Sequence, residues 1–490
     1  MKIMSRITAL LFAGLLLASC SDTAAPTADT NNADDTAATE AVTEPADMLE
    51  ARKQISDDLP EKDYGGADFP IVTYNYTHTD YIAEQETGAL INDAIFRRNS
   101  RVAERFHVNL ILEDGGNEGE VTTKIQNAVR AGDDTYQLVS QHMIQSAKLA
   151  MQNYFMDWYT VEHVNLEKPW WNQHCTETLS IDNKIFTMAG SISPSFMTHT
   201  YCVYLNKRLG NDIDVTATIY DTVLDGKWTI DYYSSLVKDT WADLNGNSTQ
   251  DDQDQYGLAA QVTSYVTPFI YSFGETTVSR DANGIPVLSI NEEKAADMVS
   301  KVYSLIYESN GTITTDGWSL HQDVFTAGRA LFMNGVFLHA IERFNNMEDD
   351  YAILPYPKWD EAQTEYLTMS DGASPLVSIP TTCADIERAG IVIEALAAES
   401  YKSVIPAIYD TALKVRGVRD ETSMQIIDII ERGNVIDFGY VFGDMNKLGF
   451  YMSILMGTKK NNFASYYEKQ KKSWEKHLTT IIDSYLESAN

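Results

Sequence analysis

Residues 68–74 read DFPIVTY, residues 108–112 read VNLIL and residues 136–140 read YQLVS. Each is a short run dominated by β-branched, aromatic and leucine side chains, the composition of a buried strand. Between the first and second runs, Gly88 to Phe106 places Leu90, Ile91, Ala94, Ile95, Val102 and Phe106 at helical spacing. Between the second and third, Val121, Ile125, Ala128 and Val129 repeat that spacing, and Gly132 supplies a stop. Strand, helix, strand, helix, strand is the rhythm of parallel strands joined by crossovers, so the chain reads as α/β.

Working downstream, further strands are expected at Lys184–Ala189, Tyr201–Leu205, Ala330–Met333, Tyr351–Leu354 and Leu376–Ile379. The middle reads as mostly helical, with Glu292–Tyr307 its clearest helix, and a long amphipathic helix is expected over Phe463–Leu486. No internal repeat is visible.

Upstream, Lys2 and Arg6 precede an apolar run from Ile7 to Ala18. A bilayer span needs about 20 apolar residues, so this run is too short to cross but fits the core of a signal peptide. Leu17-Ala18-Ser19-Cys20 resembles a bacterial lipobox, which implies cleavage after residue 19 and diacylation of Cys20; an ordinary signal peptide cut near a cysteine is the alternative. Residues 20–60 then carry a lipidated cysteine and an acidic tether. The segment 21–58 is rich in Thr, Ala, Asp and Glu, too polar to bury itself. As a flexible coil it would reach roughly 35 Å. The expected location is the outer face of the cell membrane, held by lipid.

Lys and Arg total 37 against 70 Asp and Glu, a net charge of −33. Such a polyanion excludes nucleic acid as a partner, since that affinity comes from neutralising phosphates, and excludes a polybasic membrane patch. Tyrosines number 27 against 17 phenylalanines, with 8 tryptophans, so most rings carry a polar handle. Four cysteines rule out a disulfide scaffold. With Cys20 lipidated, Cys175, Cys202 and Cys383 are expected as buried thiols. The phosphate-loop, dinucleotide, His-Glu-x-x-His and Gly-x-Ser-x-Gly patterns are absent, and the chain reads as a non-enzyme.

Asp243, Asn245, Asn247, Asp251 and Asp254 fall at positions 1, 3, 5, 9 and 12 of a loop in which Thr249 offers a carbonyl at position 7. That is the oxygen rhythm of an EF-hand and makes Ca²⁺, in a structural role, the expected ion. Ser248 at position 6 and Asp254 at position 12 depart from the usual Gly and Glu, and the loop resembles the dockerin-type variant. The same residues also fit an acidic, Asn-rich turn that needs no metal.

Several segments in order resemble the extracellular solute-binding proteins of family 1, the substrate receptors of bacterial ABC transporters. After the lipobox and tether comes Leu59-Pro60-Glu61-Lys62-Asp63-Tyr64-Gly65-Gly66, leading into a strand. Glu86-Thr87-Gly88, Ile91-Asn92-Asp93-Ala94 and Val102-Ala103-Glu104-Arg105-Phe106 follow, then Lys168-Pro169-Trp170-Trp171-Asn172. Phe325 to Phe332 and Tyr351 to Pro357 complete the series. The resemblance implies a two-lobed periplasmic-binding-protein fold of type II, with discontinuous lobes joined by hinge strands. Residues 64–193 with 336–382 would form lobe one, and 194–335 with 383–490 lobe two. A solute, by default an oligosaccharide, would be clamped in the cleft by hinge closure and passed to ABC permease subunits by a monomeric receptor.

Ligands of α/β sheets sit beyond the carboxyl ends of the strands, which selects Tyr74, Asn75 and Tyr76, and Gln141 with His142. By position relative to the family's sugar receptors, Ser193 to Thr200 would form a hinge, and Tyr265, Phe337, His339, Asp371, Phe438 and Tyr440 would face the ligand. Trp170 and Trp171 read as mainly structural. Two alternatives share these features: a surface-anchored carbohydrate-active hydrolase, and the same receptor fold with a peptide or other non-sugar ligand.

Overall fold

Ile71, Val72 and Thr73 pair in parallel with Leu112, Glu113 and Asp114 on one side and with Leu138, Val139 and Ser140 on the other. These are β1 (Ala67–Thr73), β2 (Val108–Asp114) and β3 (Leu138–His142) of a computed structural model that describes residues 45–414, 421–444 and 446–488. The expected signal peptide, the Cys20 anchor and residues 20–44 of the expected tether lie outside the described residues. The remainder is not a free tether: Pro45–Gln54 is a helix whose buried Arg52 pairs with Glu431 at 2.6 Å, and Asp58 pairs with Lys168 at 2.6 Å, so apolar poverty is offset there by ion pairs to the body. Helices Leu90–Phe106 and Glu118–Ala131 connect the three strands. The first buries Ala94, Ile95, Val102 and Phe106, the face anticipated from its spacing. The second opens on a reciprocal cap between Asn117 and Glu120 and stops at Gly132, whose φ of 75° a residue with a Cβ resists.

The second sheet begins at β4 (Tyr201–Asn206) and continues with β5 (Tyr256–Gln261). A small hairpin, β6 (Val278–Arg280) with β7 (Pro286–Leu288), precedes β8 (Thr312–Thr315), β9 (Ala330–Val336) and β10 (Tyr351–Leu354). Its order is β10-β4-β9-β5-β8, with β9, β5 and β8 mutually parallel. β5 and β8 went unread in the sequence because YGLAAQ is poor in strand formers and TITT is short. β11 (Thr368–Met369) then pairs with the late β13 (Asn434–Val435), and between them β12 (Pro375–Ser378) runs antiparallel to β3, closing the first sheet as β12-β3-β1-β2.

Two lobe boundaries differ from expectation. β10 bonds to β4, so 351–354 belongs to the second sheet and not to lobe one; the chain returns to the first sheet only near residue 370. The helices over 386–412 pack on Leu90–Phe106 of lobe one, with Val404 buried against Ala94 and Ile95. Arg98 reaches Ser400 at 3.0 Å, and both indoles of Trp170 and Trp171 donate to Glu394, at 3.0 and 2.9 Å. The strand expected at 184–189 is reduced to single bridges, Ile181 to Lys184 and Met188 to Val377. Asp182 and Asn183, at φ of 51° and 57°, turn the chain before a ladder can form.

The lobes are joined by a belt of crossing segments. Thr200 bridges Ser370, and the Asn434 amide donates to Thr200 Oγ1 at 2.8 Å and to Ser370 Oγ at 2.7 Å. All three side chains are buried, so these bonds satisfy groups that would otherwise be costly to bury. The last helix, Phe463–Leu486, matches its expected limits. It begins against Tyr451 and helix Glu292–Tyr303 in lobe two and ends with Tyr485 on Phe186 of lobe one, where Lys184 Nζ caps the Tyr485 carbonyl at 3.2 Å. Cys175, Cys202 and Cys383 are free and buried, as expected. Among the described residues no helix is long and apolar enough to cross a membrane.

Candidate functional site

The carboxyl ends of both sheets turn toward the belt and deliver aromatic side chains there. From β1 the chain runs into Tyr74 and Tyr76, whose rings stack at 6.3 Å between centroids. β3 ends at His142, edge-on to Tyr74 at 6.1 Å. From the belt, His199 meets Tyr76 at 5.4 Å and Tyr201 begins β4. From lobe two come Tyr265 after β5, Trp318 after β8 and His339 after β9. Tyr265 contacts Tyr201 at 5.5 Å, Trp318 at 6.5 Å, His321 at 5.1 Å and His339 at 5.8 Å. Most of these rings are buried, but Tyr76 is 58% and Trp318 63% exposed. An exposed tryptophan beside buried aromatics is a ready stacking face.

Asp371 sits at the focus. Its Oδ2 accepts the Tyr201 hydroxyl and its Oδ1 the Ala373 N–H at 2.9 Å, while its own N–H donates to the His199 carbonyl at 3.0 Å. Burial raises the phenol pKa of Tyr74, Tyr76, Tyr201, Tyr265 and Tyr440, and the Asp371 charge adds to every one. These hydroxyls are therefore neutral, able both to donate and to accept. Burial lowers the pKa of His142 and His199, and pushes His321 and His339 down to about 4 and about 3, so all four are neutral near pH 7. The surface offers flat rings and uncharged donor–acceptor groups around the Asp371 carboxylate, which suits a hydroxylated solute.

The residues selected from sequence divide into three groups. Tyr74, Tyr265, Asp371 and Tyr440 converge: Tyr74 donates to the Ala373 carbonyl, and Tyr440 Oη accepts the Gly372 N–H at 3.0 Å. Asn75 is exposed at the rim, its N–H on the Gly116 carbonyl. Gln141, Phe337 and Phe438 do not face solvent at this site. Gln141 spends its amide on the Glu118 carbonyl at 2.9 Å and on Thr122 Oγ1. Phe337 is wholly buried, and Phe438 packs tilted on Phe442 at 4.6 Å between centroids, under Arg280. Sequence reasoning did not select Tyr201, His321 or Trp318. Trp318 was findable only by reading TITT as a strand and looking beyond its end.

A separate cavity of about 390 Å³ lies on the Trp170–Trp171 side, where Arg52 pairs with Glu431 at 2.6 Å. It touches the belt at Asn434, but none of the rings around Asp371 lines it.

In the 243–254 loop, Asp243 accepts the N–H groups of Gly246 and Ser248 at 2.6 and 2.8 Å. The amides of Asn245 and Asn247 both turn to Asp251, at 3.1 and 2.7 Å. Asp254 is buried and takes the Trp241 indole N–H at 2.9 Å. The Asn side chains thus present N–H donors to Asp251, while their Oδ1 atoms accept the N–H groups of Asn247 and Thr249 at 3.0 and 2.7 Å, the bonding of a metal-free Asn-rich turn. Among the described residues no group of three or more His, Cys, Asp or Glu side chains is gathered to hold a metal.

No family model matches the chain, and no curated protein matches it closely enough to be informative. Solved structures do match. One is an ABC transporter solute-binding protein from Agrobacterium radiobacter in complex with ribitol, 14% identical, covering 84% of this chain and 99% of that one, with a TM-score of 0.52. Another is the galacto-N-biose/lacto-N-biose I-binding protein of the ABC transporter from Bifidobacterium longum in complex with lacto-N-biose, 11% identical, covering 86% and 99%, with a TM-score of 0.54. A third is a cyclo/maltodextrin-binding protein complexed with maltotetraose, 12% identical, covering 87% and 100%, with a TM-score of 0.52. At these identities the likeness establishes the fold: a two-lobed α/β architecture shared with proteins that bind solutes.

Proposed function

We propose that the protein is a receptor which captures a small hydroxylated solute, an oligosaccharide, between its lobes and delivers it to an ABC importer. The observation that carries this reading is the convergence of rings from both sheets on Asp371 at the belt, with the Tyr76 and Trp318 faces open to solvent. Sugars present flat C–H faces and many hydroxyls, and this surface answers with aromatic faces and neutral donor–acceptor groups. A micromolar complex needs about −8 kcal/mol, within reach of a few stacked rings and hydrogen bonds. Each lobe holds part of the surface, so a bound solute favours the closed arrangement by contacting both.

The same reading makes Cys20 the lipid anchor, the chain from there to about residue 44 a tether and permease subunits the recipients of the solute. It also gives calcium the role of stapling the 243–254 loop, through Asp243, Asn245, Asn247, the Thr249 carbonyl, Asp251 and Asp254, with no part in chemistry.

The test is calorimetric titration of the purified protein with a panel of linear and cyclic oligosaccharides, with recovery and analysis of the solute. Saturable binding and an unaltered sugar are expected. Turnover to shorter sugars would reject the receptor reading in favour of a hydrolase, and silence across the panel would reject the sugar.

A further inference from the structure

Beside the ring cluster, on the β1 side of the belt, lies a cavity of about 270 Å³. Its walls come from both lobes and the hinge: Tyr76 and Asp80, Pro194 and His199, Leu338 and Glu342. Two of these side chains are nearly closed off from solvent, Asp80 at 3% and His199 at 5% exposure, and each has a buried polar atom that no protein group satisfies: Asp80 Oδ2 and His199 Nε2. Buried polar atoms without partners are uncommon and call for an explanation.

The chemistry of both atoms can be assigned. Asp80 Oδ1 accepts the Ser195 N–H at 2.9 Å and the Ser195 hydroxyl at 2.7 Å, which leaves Oδ2 as a free acceptor. His199 Nδ1 lies 2.9 Å from the Ser195 carbonyl, an oxygen that only accepts. Nδ1 therefore carries the proton, and Nε2 of the neutral ring carries a lone pair. With Asp80 ionised, both unsatisfied atoms are acceptors, held by opposite sides of one residue, Ser195. Glu342 adds a second carboxylate at the wall, and no Lys or Arg lines the cavity. Arg98 stands behind Asp80, but its N–H groups are spent on the carbonyls of Asp80 and Ile192, on Asn99 and on Ser400. Arg343 lies next to Glu342 in the chain. Burial pushes the Asp80 carboxyl up to about 7 despite Ser195 and Arg98, as expected of an acid short of a counter-charge.

We infer that this cavity is a subsite for a protonated amino group, so that the solute class is an amino sugar. An ammonium has donors and no acceptor, the complement of two lone pairs and a carboxylate, and the Tyr76 ring offers it a cation–π face. A carboxylated or phosphorylated sugar would meet like charge here. The inference rests on the receptor reading and narrows its ligand.

The test is calorimetry on the purified protein with glucosamine, N-acetylglucosamine and glucose, each as monomer and β-1,4 tetramer. The amine is expected to bind about tenfold tighter than its acetylated and hydroxyl counterparts. Asp80→Asn keeps the Oδ1 acceptor for Ser195 and replaces the free acceptor with a donor, so it should erase that preference, read as the ratio of amine to hydroxyl affinity within the variant. Glu342→Gln, at an exposed position, provides a second variant that folding cannot confound, and it should reduce the preference. Equal affinity for amine and hydroxyl forms, or a preference indifferent to both variants, overturns the subsite. If neutral oligosaccharides still bind through Trp318, the receptor reading survives that result. If no amine binds at all, the subsite is likewise rejected.

Discussion

Tyr440 Oη receives the backbone N–H of Gly372 at 3.0 Å, joining lobe two to the segment that carries Asp371 back to lobe one. Tyr440 is held from its own side by Asp437, which caps its N–H at 2.8 Å and takes both the N–H and hydroxyl of Thr277. Tyr440→Phe leaves the ring stacked on Phe450 but strands a buried N–H. Urea unfolding should show a loss of about 1–3 kcal/mol, the cost of an unsatisfied buried donor. A smaller loss would mean that the Gly372 N–H finds water.

Trp318→Ala separates binding from stability. The side chain is mostly exposed, so unfolding should shift by no more than about 0.5 kcal/mol. Affinity for whichever oligosaccharide binds should fall about tenfold, the equivalent of 1.4 kcal/mol. Calorimetry with a parallel thermal melt checks both, and unchanged affinity would remove Trp318 from the site.

Glu394 is wholly buried between two indole donors, and burial pushes its pKa from 4.5 up to about 7 despite them. Between those values the folded protein holds a proton that the unfolded chain has released, so this residue's contribution is full below about pH 4.5 and is lost as pH rises toward 7, by on the order of 3 kcal/mol. Glu394→Gln should flatten that part of the stability–pH curve. Its single oxygen satisfies one indole only, so the variant should also be less stable by about 1–3 kcal/mol at low pH. Chemical unfolding from pH 4.5 to 7.5 measures both.

If calcium occupies the 243–254 loop, melting temperature should rise with added calcium over a chelator control. At 100 times the Kd the gain is about 2.7 kcal/mol. Asp251→Ala, which removes the carboxylate on which Asn245 and Asn247 converge, should abolish the response. No response in the unsubstituted protein would assign the loop to the metal-free turn.

The three described thiols should be inert in the folded state. Burial pushes Cys175 up to about 12 and Cys383 up to about 11, and raises Cys202 as well. Ellman's reagent should label none of them before denaturation and all of them after it, because the thiolate is the reactive form. Fast labelling of the native protein would contradict the packing.

The strands of the first sheet and the final helix were legible because their local signals agree with their burial: Phe69, Ile71 and Val72 are core, and Phe463, Tyr467, Trp474, Leu478 and Ile481 mark one helical face. β5 was not legible, because Gly257, Ala259 and Ala260 earn their strand from neighbours on both sides, not from propensity. Lobe membership of 351–354 and 386–412 was hidden for a related reason. Both segments are apolar wherever they go, and only pairing with β4 or packing on Leu90–Phe106 decides the lobe. At the site, Tyr74, Tyr265, Asp371 and Tyr440 follow from strand ends and positional likeness. Gln141 and Phe438 follow the same rules and yet are claimed by interior partners, a distinction that spacing does not encode.

The closing helix sets the kind of movement open to the two bodies. Its 24 residues run from Tyr451 of one to Phe186 of the other, and a helix keeps its length at about 1.5 Å per residue. It acts as a rigid strut: the bodies can rock about it, but along that edge they cannot drift apart. For a receptor this sets the way in: a solute would enter at the margin opposite the helix, and one longer than the space between the bodies would overhang there.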